Sequence, residues 1–336
     1  MPRFLIVGAG AIGGLLGARL AAAGEEVTLV GRAWLQEAVT RHGLRLRSGD
    51  ETLVTRDLAV FTSLHDALAA RSYDWLLVTP RAHAVPATLD ELVAATSDPP
   101  PLVLFQNGVG SEEQAAARVG AARVVAATIT TPVEVLGAAH LATVDKGGIG
   151  LARWDERGPD TGPLGRALSA SGFAVRGYED ARAMKWSKLL LNMIGNATSA
   201  LLGWPPARTM ADPRLYAVEI GALREARRVM AALGVAPVSL PGYSVPLQML
   251  FNNDIVGGSR GGKMPSLFLA LEAGQPQSEV TVLNGAVAAQ GARLGVPTPL
   301  NEALTALVVS LAEGRLPRTA YLHDPDALLG ALPATR

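Results

Sequence analysis

Lys185, Lys188, Asn192 and Asn196 recur at three- and four-residue spacing inside the run Ala181–Leu202. At about 100° per residue they form one stripe of a helix, with Leu190, Leu191, Ile194, Ala197 and Leu201 mostly on the other side. Asparagine is a costly helix-interior residue because its side chain competes for the backbone. Two of them in register with lysine fit a wall that offers a cation and amide groups to a polar substrate. The same spacing also fits an ordinary solvated helix face.

A second set sits at the N-terminus. The apolar run Phe4-Leu5-Ile6-Val7 breaks into Gly8-Ala9-Gly10-Ala11-Ile12-Gly13, and an alanine-rich helical segment follows from Leu15. Strand, G-x-G-x-x-G and helix in that order are what a dinucleotide-binding βαβ unit requires. The helix N-terminus offers free N–H groups and a positive dipole end to phosphates. The next strand reads Val27-Thr28-Leu29-Val30-Gly31-Arg32 and carries no acid at its end. An acid there would bind the ribose 2′-hydroxyl of NAD, whereas Arg32 suits a 2′-phosphate, so the pattern favours NADP(H). The alternative for Arg32 is a solvated loop cation.

Three further segments follow apolar strands or open helices. Gln106-Asn107-Gly108 lies just beyond Leu102–Phe105, at the strand edge where ligands bind in doubly wound folds. Asn107 there either contacts cofactor or substrate, or forms an Asn-Gly turn. Thr79-Pro80-Arg81-Ala82-His83 follows Trp75–Val78, and Arg81 is a candidate for cofactor phosphate or substrate carboxylate. Ser278 fits a helix N-cap, with Glu279 in the first turn, where acids are favoured in any case. Glu279 could also face the Lys188 stripe across a cleft. Ser266, in Lys263-Met264-Pro265-Ser266, is by itself an unremarkable loop serine.

The elements that carry these residues divide the chain in two. Strands are expected at Arg3–Val7, Glu26–Val30, Trp75–Val78, Leu102–Phe105 and Arg123–Ala127. Extended runs follow near Ala139–Val144, Gly148–Ala152 and Phe173–Val175. Strands separated by helices predict a mainly parallel doubly wound sheet, with later antiparallel additions. From Ala181 the periodicity becomes helical, over Ala181–Leu202, Pro213–Leu233, Ser278–Leu294 and Leu300–Glu313. Between these helices, Gly234–Gly262 is rich in Gly, Pro, Ser and Asn, the mark of a functional or mobile loop. The expectation is an α/β dinucleotide-binding domain over 1–179, an all-α substrate and dimerisation domain over 180–323, and a weakly ordered tail over 324–336.

Composition narrows the function. Lys plus Arg and Asp plus Glu both total 30, which gives no global field for nucleic acid or an anionic membrane. Cysteine is absent, excluding disulfides and thiol nucleophiles, and no His pair has metal-ligand spacing, so no catalytic metal is expected. No apolar run reaches the ~20 residues that span a bilayer, and no signal-peptide pattern opens the chain, which predicts a cytoplasmic protein.

Taken together, these motifs resemble the ketopantoate reductase (2-dehydropantoate 2-reductase) family. The matching residues are Gly8–Gly13, Val30-Gly31-Arg32, Gln106-Asn107-Gly108, the run Lys185-Trp186-Ser187-Lys188-Leu189-Leu190-Leu191-Asn192 with Asn196, and Lys263–Ser266. Ser278-Glu279-Val280, Leu283-Asn284-Gly285 and Leu294–Pro299 complete the series, which extends to about residue 315. The resemblance implies a Rossmann domain, a C-terminal helical domain, a cleft between them, and NADPH-dependent reduction of 2-dehydropantoate to pantoate on the way to pantothenate and coenzyme A. Carried over by position, Lys188 is the catalytic lysine and Glu279 its acidic partner. Asn192, Asn196, Ser266 and Asn107 hold substrate, with Asn107 also near the cofactor. Gly8, Ala9, Gly10, Ala11, Ile12, Gly13, Arg32 and Arg81 bind NADP(H). A small 2-keto acid is the implied partner, and a homodimer is compatible with the helical domain.

The mechanism so implied adds hydride to the C2 carbonyl, while a protonated Lys188 stabilises the developing oxyanion and donates the proton. Arg81 departs from the family, which commonly has lysine there, and Gly234–Gly262 is longer than in compact members. Both leave open a reductase of another branched 2-keto acid or related carbonyl. A third possibility is an NADP(H)-binding regulator without turnover, against which the presence of both Lys188 and Glu279 argues.

Overall fold

The computed structural model describes residues 1–243 and 264–334. Two units emerge from their internal packing. The first holds Met1–Gln106 and Gly110–Lys185, joined by the chain from Leu240, and the second holds Asn107–Val109, Trp186–Ser239 and the C-terminal remainder. Among the described residues, no helix is long and apolar enough to cross a membrane. Most of the expected Gly234–Gly262 loop, and Lys263, lie outside the described residues.

The first unit opens with β1 (Arg3–Val7), α1 (Ala11–Ala22), β2 (Glu26–Val30) and α2 (Ala33–His42). It continues through β3 (Leu44–Ser48), β4 (Glu51–Thr55), β5 (Ala59–Phe61), α3 (Leu64–Ala70), β6 (Trp75–Val78), α4 (Val85–Ala95), β7 (Leu102–Leu104) and α5 (Ser111–Val119). It closes with β8 (Val124–Ile129), β9 (Val133–Gly137), β10 (His140–Thr143), β11 (Ile149–Arg153), α6 (Gly162–Ala170) and β12 (Val175–Gly177). Eight strands form one sheet in the order β12-β11-β8-β7-β6-β1-β2-β5. All neighbours run parallel except β11 against β8, so the sheet is a doubly wound one with an antiparallel step near one edge.

Successive side chains of a strand point to opposite faces, and a sheet covered by helices on both faces buries both sets. Phe4 and Ile6 join one core with Leu15, Leu16, Leu77 and Val103, while Leu5 and Val7 join the other with Leu76, Val78, Leu89 and Leu104. This double burial is why Phe4–Val7 in β1 and all of β6 read as unbroken apolar runs.

A second, four-stranded sheet, β4-β3-β10-β9, was not expected. Two antiparallel hairpins, β3–β4 and β9–β10, join through the parallel pair β10–β3, in which Leu141 lies opposite Leu46. Their sequences, Leu44-Arg45-Leu46-Arg47 and Glu51–Thr55, alternate or stay polar because one side of each strand faces solvent. A search for continuous apolar runs passes over them. The sheet packs on α1. The extended run expected at Phe173–Val175 is displaced to Val175–Gly177, where Val175 pairs with Ile149 at the sheet edge.

α7 (Ala181–Met193) begins in the first unit and continues into the second. α8 (Ala197–Leu202), α9 (Pro206–Ala211), α10 (Pro213–Ala232), α11 (Ser266–Glu272), α12 (Asn284–Leu294), α13 (Pro299–Ala312) and α14 (Pro325–Gly330) follow. The single helix expected over Ala181–Leu202 is interrupted at Gly195, whose φ of +57° leaves the right-handed helical region. The helix expected over Ser278–Leu294 is likewise split. Glu279–Val282 is a one-turn 3₁₀ segment, and α12 starts only after Leu283. The segment expected to be a weakly ordered tail contains α14, capped by Asp324 through the Ala327 N–H at 3.0 Å.

Buried carboxylates on α10 organise this unit. Glu225, 3% exposed, accepts the N–H groups of Leu300 and Asn301 at 3.0 Å and the Asn301 amide at 2.7 Å. It therefore caps α13 from another helix, satisfying donors that have no intrahelical acceptor. Glu225→Ala should cost about 3 kcal/mol of stability, since charged hydrogen bonds are lost and buried donors are left unpaired. Urea denaturation checks this, and a loss under about 0.5 kcal/mol, the scale of an ordinary surface substitution, would refute the capping role.

Candidate active site

The glycine motif forms the turn from β1 into α1. Gly8 has φ +83°, and a Cβ there would lie 2.7 Å from the Pro80 backbone nitrogen. A Cβ on Gly13 would lie 2.5 Å from Thr79 Oγ1 and 2.8 Å from the Gly8 carbonyl. Side chains are thus excluded where the turn meets the loop after β6. At Gly10, by contrast, a Cβ would meet only the Gly8 carbonyl, at 3.9 Å, so this face of the turn is open. The first backbone bond of the new helix runs from Gly14 N–H to the Gly10 carbonyl at 2.8 Å. The N–H groups of Ala11, Ile12 and Gly13 precede it and have no carbonyl within the helix. Gly10 supplies no side-chain cap, and no acid occupies the first turn. Open space, unpaired donors and a positive helix end together suit a pyrophosphate, and the buried Ala9 fixes the turn from below.

Two residues that the sequence reading did not single out stiffen this cradle. Thr79 Oγ1 lies 2.8 Å from the carbonyls of both Val7 and Gly8, tying the β6 loop to the glycine turn. Gln106 Nε2 donates to the Val78 and Pro80 carbonyls, each at 2.9 Å. The signal available was their place, as polar residues directly after buried strands. Arg81, exposed, stands at the N-cap position of the short 3₁₀ turn Ala82–Ala84 that leaves this loop and makes no side-chain capping bond. Arg32, also exposed, is the N-cap residue of α2, and no acid occupies that helix's first turn. The preceding Gly31 N–H is held by the Phe61 carbonyl at 2.9 Å.

Lys185 has a different role from the one its spacing suggested. Its side chain is 3% exposed and its Nζ lies 2.8 Å from Glu112 Oε1, which is 1% exposed. It also donates to the Gln106 carbonyl at 2.6 Å and the Ala127 carbonyl at 3.3 Å. Lys185 is therefore a buried tie between α5, β8 and the β7–α5 loop, not part of a polar wall. Burial pushes the Glu112 carboxyl above the usual glutamate range, and the Lys185 ammonium opposes that shift.

In the second unit Asn192 Nδ2 donates to Asn107 Oδ1 at 3.1 Å. The amide, which the end of α7 at Met193 puts in the last turn and not in mid-helix, thus bonds to another segment. Lys188 is half-buried on α7, one turn before Asn192. Asn107 is exposed, and its turn is set by the next residue. Gly108 has φ +80°, and a Cβ there would lie 2.2 Å from the Val282 carbonyl. The Asn107 turn therefore rests on the 3₁₀ segment that Glu279 begins. Ser278 caps that segment through the Val280 N–H at 3.3 Å, and Glu279 is half-buried in its first turn. Among the described residues no ion pair joins Glu279 to Lys188.

Asn196 follows the break at Gly195. It is 5% exposed and its Oδ1 is buried without a hydrogen-bond partner among the described residues. Ser266 is exposed as the first residue of α11. The structure thus brings Asn107, Asn192 and the Glu279 turn together next to Lys188's turn of α7. It places Asn196 beyond a helix break and Ser266 on a separate helix.

Comparison with known proteins accounts for this combination. The family described as "Ketopantoate reductase PanE/ApbA" matches residues 4–156, and its C-terminal counterpart matches residues 180–312. A 2-dehydropantoate 2-reductase of Mesorhizobium japonicum is 29% identical, over 93% of this chain and 98% of its own length. One from Archaeoglobus fulgidus is 26% identical, over 94% of this chain and 99% of its own. The crystal structure of a PanE/ApbA family ketopantoate reductase from Ralstonia eutropha JMP134 superimposes with a TM-score of 0.82 at 24% identity, covering 93% of this chain and 99% of that one. D-mandelate dehydrogenase, solved with NADH and anilino(oxo)acetate, has the same fold, with a TM-score of 0.80 at 19% identity and coverage of 93% and 98%. With both of its regions matched over most of its length, the chain belongs to the ketopantoate reductase family.

Proposed function

We propose that this chain is an NADPH-dependent 2-dehydropantoate 2-reductase, with Lys188 as general acid and pantoate as product, feeding pantothenate and coenzyme A synthesis. The observation that carries the reading is the Asn192–Asn107 hydrogen bond, one helical turn from Lys188, in a chain of this family. It supports a polar surface with a cation at one end and two amides at the other, which suits a keto acid bearing a hydroxyl. The glycine cradle fits a nicotinamide dinucleotide, which when bound supplies the hydride. Arg32 supports NADPH over NADH, since it follows β2 where an NAD site usually carries an acid, and its guanidinium suits a 2′-phosphate.

Within this proposal Lys188 holds the carbonyl oxygen of the substrate, stabilises its developing negative charge and gives it the proton. Asn192 and Asn107 orient the substrate's carboxylate or hydroxyl, with the bond between them fixing the direction of each amide. Asn196 offers a carbonyl oxygen to a donor, and Ser266 a hydroxyl. Glu279 favours the charged form of the lysine when the two approach. Arg81 favours a second reading, a reductase of another branched 2-keto acid, because guanidinium and ammonium do not hold an anion in the same geometry.

The test is consumption of NADPH, followed by absorbance, with 2-dehydropantoate and a panel of other 2-keto acids, run in parallel with NADH. Selective turnover of 2-dehydropantoate with NADPH supports the first reading, and activity confined to another acid supports the second. Arg32→Ala should raise KM for NADPH by about 10–100-fold while changing KM for NADH less than about 3-fold, the scale of losing a charge-assisted contact. An unchanged ratio of the two would remove Arg32 from cofactor recognition.

A further inference from the structure

The break between α7 and α8 is held by a single buried carboxylate. Glu219, on α10, is 4% exposed. Its Oε2 accepts the Gly195 N–H at 2.9 Å, and its Oε1 accepts the Thr198 hydroxyl at 2.5 Å. Those two residues flank Asn196 and Ala197 on either side. Gly195 could not accept a side chain in this conformation, because a Cβ would lie 2.9 Å from Pro206 Cβ and φ is already +57°. A continuous helix would leave the Gly195 N–H bonded to the carbonyl four residues earlier, in place of Glu219. The carboxylate therefore replaces the lost helical bond and fixes the direction in which Asn196 leaves the turn.

Asn196 is the residue for which that direction matters. Its Oδ1 is buried and has no partner among the described residues. Leaving a buried acceptor unmade costs free energy, so such an atom is retained where something else supplies the donor. An amide carbonyl accepts from a hydroxyl and has nothing to give a carboxylate. We infer that Glu219 is a positioning residue, which through the Gly195–Thr198 turn aims Asn196 Oδ1 at the hydroxyl of the substrate. It thereby sets the enzyme's preference for hydroxylated 2-keto acids. This rests on the functional reading above, because Asn196 must lie in the substrate site for its direction to matter.

The test compares two keto acids that differ by that hydroxyl, 2-dehydropantoate and 3,3-dimethyl-2-oxobutanoate, on wild type, Asn196→Ala, Glu219→Gln and the double variant. Glutamine keeps the shape but offers one accepting oxygen, so Gly195 and Thr198 cannot both donate to it, and Thr198 keeps a tie only by turning to accept from the new amide. Glu219→Gln is expected to lower kcat/KM for 2-dehydropantoate by about 10–50-fold and for the deoxy analogue by less than about 3-fold, as for a site that loses its partner for one hydroxyl. KM for NADPH should be unchanged. The double variant should be no worse than Asn196→Ala alone, because both changes remove one interaction.

Equal losses on the two acids, or additive losses in the double variant, would reduce Glu219 to a structural cap and overturn the inference. Thr198→Val, which removes one tie and leaves the Gly195 bond, carries the same comparison if Glu219→Gln does not fold. It should show a smaller loss confined to the hydroxylated acid. A wild-type chain that reduces neither acid would overturn the functional reading together with this one. Wild-type activity with additive variants would overturn this one alone.

Discussion

Lys188→Ala is expected to lower kcat on 2-dehydropantoate by about 10²–10⁴-fold, the usual scale for removing a positioned general acid. The residue sits half-buried on α7, one turn from the Asn192 amide that is bonded to Asn107. Alanine preserves the helix, so the loss should be chemical and not a loss of fold. KM for NADPH should change little, because the glycine cradle is built from β1, α1 and the β6 loop. One further measurement sharpens the assignment: a small primary amine added to the variant should restore part of kcat. A variant within about 3-fold of wild type would take the acid role from Lys188 and return it to an ordinary helix-face lysine.

Lys185→Met is expected to destabilise the first unit by about 3–5 kcal/mol, the cost of stranding one partner of a buried ion pair. The methionine fills much of the volume but leaves the Glu112 carboxylate and the Gln106 and Ala127 carbonyls without their cation. The double variant Lys185→Met/Glu112→Leu should recover much of the loss, since a fully apolar replacement of a buried pair is often neutral or better. The sign of the pH dependence follows from the raised Glu112 carboxyl. A group whose folded value lies above its unfolded one contributes stability that is complete below the unfolded value, near 4.5, and lost as pH rises through the folded value. Burial is the largest cause of that shift and Lys185 the largest opposing influence. Without Lys185 the folded value moves higher still, so the single variant should lose stability with rising pH over a wider range than wild type. Urea midpoints measured from acid to mildly alkaline pH test this. A flat, wild-type-like profile in the single variant would mean that the pair carries no linked charge.

What could be read from the sequence depended on how each element is buried. β1 and β6 were legible to the residue because helices cover both sheet faces and leave no polar position to interrupt Phe4–Val7 or Trp75–Val78. β3 and β4 were not, because Arg45 and Arg47 alternate with the buried Leu44 and Leu46, and the residues opposite the arginines, Thr52 and Val54, are exposed. The α7–α8 break was hidden for another reason. Gly195 is tolerated within a helical pattern at a modest cost, and the Glu219 carboxylate that takes its N–H comes from a helix later in the chain. Lys185 and Lys188 look alike by spacing, yet one is buried against Glu112 and the other is half-buried in the polar set. That difference comes from α5, far away in the chain. The same holds for Asn107 and Asn192, which are 85 residues apart and meet only in the folded unit.

The second sheet also bears on how the N-terminal half can form at all. A Cβ on Gly14 would lie 2.6 Å from Leu141 Cδ1, so the helix that follows the glycine turn is fitted against a strand more than a hundred positions later. β10 reaches its place only by pairing with β3, which is itself inserted between β2 and β5. A nascent chain that has emerged only as far as β8 holds every strand of the nucleotide cradle and the β3–β4 hairpin, yet lacks β9 and β10, so part of that side of α1 stays uncovered. Contacts of such long range close late and slowly. A fragment cut before residue 130 should therefore associate with itself and not behave as an autonomous nucleotide-binding module, and ribosome-bound intermediates of that length are where a chaperone would be needed.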